Sequence, residues 1–227
     1  TVDGLVVPRH PFDPDAPVLS AHIPMLVGTT RNERSPSLAE PSLEAMSVEQ
    51  VIERLRPEHG ERAELIVGAY RAANPDARPV EILSLISSPR TDAIRQATLQ
   101  TARGEAAVFL YWFAWQTPVL ERRPRAFHCA DLPFSFDNVE RCAQMTGGGA
   151  AAQQLAARMS AAWVAFARTG DPNHADLPFW PAFSPERGPT MILDDVCRVS
   201  DDPDRREREV LLGARVTPPD AAPSRSG

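Results

Sequence analysis

Apolar residues recur along this chain at two spacings, and the spacing separates strands from helices. Ile23-Pro-Met-Leu-Val-Gly28 is a short apolar run that stops at glycine, which predicts a buried strand of a parallel sheet. From Ser35 to Gly104 the spacing becomes helical. Ser47-Val-Glu-Gln50 forms a capping box ahead of an apolar stripe of Val48, Val51, Ile52 and Leu55, and Pro57 is expected to end that helix. Leu65, Ile66, Ala69, Tyr70 and Ala73 repeat the pattern until Asn74-Pro75 stops it. A short apolar helix is predicted over Val80 to Ile86, and Thr91 is placed to cap another that Gly104 closes. Helices inserted between two strands suit either a lid over a substrate pocket or ordinary packing on the sheet.

Val108-Phe-Leu-Tyr-Trp-Phe-Ala-Trp115 is the strongest strand signal, continuous and free of glycine and proline, and its Tyr111, Trp112 and Trp115 read as core. Gly147-Gly-Gly149 lacks a phosphate-loop spacing and reads as a flexible linker. Residues 151–169 form an amphipathic helix with Leu155, Met159, Ala162, Trp163 and Phe166 on one face, stopped by Gly170 and Pro172. Asp171 and Asn173 read as turn formers, and Thr190 to Leu193 as a last short strand. Before the first strand, Pro8, Pro11, Pro14 and Pro17 favour an extended surface segment, where His10 and His22 read as ordinary loop residues. After Val216 no apolar periodicity remains, and residues 217–227 are expected to be a disordered tail.

With 227 residues and 43% hydrophobic content the chain can build a real core. Its net charge of −6 argues against a nucleic-acid footprint. All 24 basic residues are arginine, a bias that speaks of genome composition rather than mechanism. Cys129, Cys142 and Cys197 include no C-x-x-C pair, so neither a zinc site nor a redox pair is expected, and they read as idle thiols. No run approaches the roughly 20 apolar residues of a membrane span. No basic-then-apolar leader opens the chain, and a cytoplasmic location is the expectation.

Two segments carry candidate chemistry. Leu26-Val-Gly-Thr-Thr-Arg-Asn-Glu33 reads as a strand ending in a loop that presents an acid, and Ala126-Phe-His-Cys-Ala-Asp-Leu-Pro-Phe134 presents His128 among apolar neighbours. A histidine held this way can shuttle protons near neutral pH, although a lone loop histidine is as readily structural. Glu33 could hold the Nδ1 proton of His128, or simply pair with Arg31 or Arg34. Acid before base is the order of α/β-hydrolases, in which the nucleophilic serine precedes both.

The flanking residues make the resemblance specific. Val2-Asp-Gly4 with Pro8 and then Ile23 to Glu33 resemble the "DG…P…VPVLIGTNRDEG" region of type-B carboxylesterases, the family of para-nitrobenzyl esterases and cholinesterases. Thr91-Asp92 with Val108 to Trp115 resembles the helix and strand leading to the family's base. Ala126 to Phe136 is similar to "AFHGADLPFVF", and Trp163 to Asn173 with Trp180-Pro181 to "W..FA.TGDPN…WP". The resemblance implies the C-terminal part of an α/β-hydrolase fold over residues 1–216, with a helical insertion at about 35–104. It also implies hydrolysis of a small carboxylic ester through an acyl-serine, with Glu33 as acid, His128 as base and no cofactor or metal. Asn32, Arg34 and Cys129 depart from the family's aspartate, glycine and glycine. Cys129 stands beside the base rather than on a nucleophile elbow.

No serine here stands in G-x-S-x-G, and no glycine-rich oxyanion segment is present. The expected reading is therefore an esterase fragment holding acid and base, with a missing N-terminal half as partner and no turnover alone. The alternatives are a non-catalytic cholinesterase-like binding module or an inactive remnant, whose exposed sheet edge would need a partner.

Overall fold

The structure, a computed structural model, describes residues 2–213; the tail expected at 217–227 lies outside the described residues. In chain order it contains β1 (Met25–Thr30), α1 (Pro36–Ala39), α2 (Val48–His59), α3 (Arg62–Ala73), α4 (Pro79–Ile86) and α5 (Arg90–Thr101). β2 (Val108–Phe113), α6 (Leu132–Ser135), α7 (Ala143–Thr146), α8 (Ala150–Thr169), β3 (Pro189–Leu193), β4 (Arg198–Asp201) and α9 (Arg205–Leu212) follow. The sheet runs β1-β2-β3-β4; the first three strands are parallel and β4 is antiparallel to β3.

β2 divides the molecule. Alternate side chains of a strand point to opposite faces, so Phe109 and Phe113, with partly buried Tyr111, join the core beneath α8, together with Leu155, Met159 and Trp180. On the other face Val108 and Leu110 pack with Ala97 of α5, and Trp112 leans on a separate core built by α2, α3, α4 and Val210 of α9. α5 therefore lies on the sheet, whereas α2 to α4 pack chiefly on one another.

Several helices follow the local chemistry. The Ser47 hydroxyl accepts from the Gln50 N–H while the Gln50 side chain accepts from the Ser47 N–H, a closed capping box. α2 nevertheless passes through Pro57, because a proline in the last turn forfeits only one bond and Gly60, at φ 58°, ends the helix instead. Thr91 caps nothing: α5 begins at Arg90 with Pro89 before it. On α3 the buried face is Ala63, Ile66, Val67 and Tyr70, leaving Leu65 exposed. The expected glycine linker is a packed corner in which Gly147 ends α7 in a left-handed turn against Pro118 and Gly149 opens α8. Asn173 does more than turn the chain. Its amide takes the Trp180 N–H at 2.6 Å and donates to the Trp180 carbonyl at 2.9 Å, locking that buried indole edge-on to Phe109. β4 and α9 have no counterpart in the apolar pattern.

β1 runs two residues beyond Gly28, where it was expected to stop. Glycine sits inside the strand because the Tyr111 ring and carbonyl of β2 lie over it; a Cβ there would stand 2.4 Å from both. Gly28→Ala is expected to destabilise the protein by about 1–3 kcal/mol through overpacking. Gly68→Ala, on open α3 surface with nothing within 4 Å, is expected to stabilise by about 0.5–1 kcal/mol. Urea midpoints of the two variants check both signs.

Candidate active site

Glu33 lies just past the carboxyl end of β1, and its two oxygens do different things. Oε1 accepts the Thr30 backbone N–H at 2.8 Å, and Oε2 lies 2.7 Å from Nδ1 of His128. The Thr30 N–H faces the sheet edge away from β2, because Met25 and Arg31 turn theirs towards Ala107 and Phe113. The carboxylate thus satisfies an orphan amide and is fixed in the same act. Glu33 is largely covered while the His128 ring is 76% exposed, so one ring nitrogen is anchored and the rest of the imidazole faces open space. The alternative partners considered for Glu33, Arg31 and Arg34, do not pair with it: Arg31 donates instead to Asn74 Oδ1 at 2.7 Å.

The loop carrying His128 is tied down on both sides. Asn32 and Phe127 form a short parallel bridge, with the Asn32 N–H donating to the Ala126 carbonyl at 2.9 Å. Three residues before His128, the buried Arg125 guanidinium reaches both Glu44 carboxylate oxygens at 2.9 and 3.1 Å and Glu81 at 3.1 Å. Burial pushes the Glu44 carboxyl up, but hydrogen bonds from Arg125, Ser37 and Arg78 outweigh it and bring it down to about 2.

Asp131, three residues after His128, is a site residue that the sequence pattern does not single out. It is partly buried and accepts from the Tyr111 hydroxyl at 3.2 Å. Burial pushes its carboxyl above the ordinary carboxylate range, with Glu33 adding to the rise, while Tyr111 and His128 oppose it. The Tyr111 phenol is pushed up by burial and by Asp131. An acid three places beyond a loop histidine was the available signal; its tyrosine, 20 residues upstream, was not readable from spacing.

Cys129 stands at φ 65°, in the left-handed region that suits glycine. Its thiol is pushed up by burial, then by the nearby Asp131 and Glu33, which opposes thiolate formation and nucleophilic use. Glu33 and His128 line one broad groove with Gly28, Thr29 and Asp92. Among the described residues no three His, Cys, Asp or Glu side chains are grouped to hold a metal ion, and no helix is long and apolar enough to cross a membrane.

Comparison with known proteins follows the same lines. The sequence model of the Carboxylesterase family matches residues 1–210. Phenmedipham hydrolase of Pseudarthrobacter oxydans is 27% identical over 202 residues, covering 85% of this chain and 39% of that protein. Para-nitrobenzyl esterase of Bacillus subtilis is 28% identical over 217 residues, covering 94% of this chain and 43% of that one. Among solved structures, a carboxylesterase of Geobacillus stearothermophilus superposes with a TM-score of 0.71 at 33% identity, over 92% of this chain and 44% of its own. The fold is that of the α/β-hydrolases, and the chain spans about two-fifths of the length of the curated relatives it matches.

Two outcomes are expected. Cys129→Gly should raise stability by about 1 kcal/mol by relieving the left-handed backbone, measured as a shift in urea midpoint. The folded Glu44 value lies below the ordinary 4.5, so its contribution is complete above pH 4.5 and is lost as pH falls towards about 2. Stability measured across that range should fall steeply in the parent chain and less steeply in Glu44→Gln.

Proposed function

Since this chain belongs to the carboxylesterase family, its model matching residues 1–210, we propose that it supplies the acid and the base of a serine esterase. The observation that carries this reading is the 2.7 Å contact between Glu33 Oε2 and His128 Nδ1. A carboxylate at that nitrogen holds the proton on Nδ1 and leaves Nε2 free to accept one. The acid also stabilises the imidazolium that forms when a serine hydroxyl gives up its proton to Nε2. The serine then attacks the ester carbonyl, His128 returns the proton to the departing alcohol, and water reverses the sequence to free the acid product.

In this reading the serine and the oxyanion donors come from a segment outside this chain, because none of its serines stands in G-x-S-x-G. Two features support such a partner. Among the described residues β1 is an edge strand, with its Leu26 and Gly28 amides directed away from β2. The exposed His128 ring also borders an open groove. The substrate class is a small carboxylic ester, and the chain by itself does not turn it over.

Purified alone, the chain should hydrolyse para-nitrophenyl acetate no faster than buffer and take no fluorophosphonate label. Co-expressed with an upstream-encoded segment carrying a glycine-rich loop and G-x-S-x-G, it should gain activity. Glu33→Gln or His128→Ala should then lower kcat by about 10³–10⁴-fold. Fluorophosphonate labelling of the chain alone would contradict the reading, and an assembled but inactive complex would favour a non-catalytic binding module.

A further inference from the structure

A second cavity lies away from the Glu33–His128 pair, between α3, α5, α9 and the sheet face of β2 to β4, with a volume of about 270 Å³. Its lining is unusual in charge and in hydrogen-bond supply. Arg90 is 3% exposed; its Nε holds both Asp204 oxygens at 2.8 and 2.9 Å and its Nη2 lies 3.4 Å from Thr190 Oγ1. Its Nη1 is buried with no hydrogen-bond partner among the described residues. The same holds for Nε of Arg31, Nε1 of Trp112 and the Ser88 hydroxyl, all of which line this cavity. A buried donor without a partner is unfavourable, because it has given up water and gained nothing in return. Besides Arg208 Nε, which lies 3.2 Å from Asp204 Oδ2, three N–H donors and one hydroxyl on the lining residues lack a hydrogen-bond partner, and no unpartnered buried carboxylate or amide oxygen belongs to a lining residue among the described residues.

The charges agree with the donors. Arg90 and Arg31 both stand over the Trp112 ring, at 4.4 and 5.4 Å from its centroid, so two guanidiniums are drawn to one indole. Arg198 and Arg208 also line the cavity, against the acids Asp204 and Glu207. Asp204 is taken by Arg90 and Arg208, and Asp202 answers Arg208 from outside the lining. Arg31 and Arg198 have no ion-pair partner among the described residues, although Asp194 lies near enough to feel both. Like charges brought together at low dielectric call for a counter-charge.

We propose that this cavity binds a small oxyanion, a carboxylate or inorganic phosphate. Guanidinium and indole N–H groups match an acceptor with two or more oxygens in close array, the geometry in which arginine binds such anions best. The volume is ample for an ion of that size together with ordered water. Exposed Arg198 and Pro203 on its lining give it a solvent-side rim. This inference stands apart from the ester-hydrolase reading, since it involves neither Glu33 nor His128.

The test titrates the full chain with sodium phosphate and, separately, sodium acetate, holding ionic strength constant with sodium chloride. The readout is the Trp112 indole N–H resonance, assigned by its absence in Trp112→Phe. A saturable shift with phosphate or with acetate is expected, and the salt that saturates it identifies the oxyanion. Arg31→Gln, which leaves the buried Arg90–Asp204 pair intact, should weaken the apparent affinity about tenfold, the cost of one charged hydrogen bond. In Trp112→Phe a saturable rise in thermal midpoint should persist with weaker affinity. A shift that does not saturate, that chloride reproduces, or that Arg31→Gln leaves unchanged would overturn the proposal.

Discussion

One carboxylate joins two segments that are 95 residues apart in sequence. Glu33 uses Oε1 to satisfy the last outward amide of β1 and Oε2 to hold the His128 ring. An amide at a strand end needs a partner when water is scarce, and a carboxylate three residues on can supply one. The strand's own hydrogen-bonding need therefore positions the acid. Without that bond Glu33 would be a mobile loop side chain, and the exposed imidazole would have nothing to orient it.

The sheet supplies the rest of the juxtaposition. β1 and β2 are parallel neighbours, so their carboxyl ends lie on the same side of the fold. The chain leaves β2, swings through Arg125 and returns beside Asn32. Arg125 is clamped by Glu44 and Glu81 of the helical region, so the loop carrying His128 is braced by helices as well as by the strand. Gly28 lets β2 approach closely at the point where β1 must run on to Glu33. Packing on one face of β2 and ion pairing on the other meet at the same pair of side chains.

Much of this was legible from the amino-acid order. The apolar runs of β1, β2 and β3, the Ser47 capping box and the amphipathic α8 depend on neighbours in sequence, and spacing reports neighbours. Glu33 and His128 are legible as candidates because each follows an apolar strand, and the flanking motifs pair them. What escaped the reading rests on partners distant in sequence. Gly28 looked like a strand stop because its reason, the Tyr111 ring, belongs to another strand. α9 is rich in charge and was invisible to apolar periodicity; its burial depends on Arg90 and Asp204, 114 residues apart. Pro57 misled for the opposite reason, since a local breaker gives way when the surrounding helix is already packed through Val51 and Leu55.

The central claim is that Glu33 fixes the tautomer and orientation of His128. Nitrogen-15 NMR of the histidine side chains tests it most directly, at a pH where the ring is neutral. His128 should carry its proton on Nδ1, with Nε2 unprotonated, and Glu33→Gln should disturb this state while leaving the other histidines unchanged. A His128 ring protonated on Nε2, or one indifferent to Glu33→Gln, would contradict it.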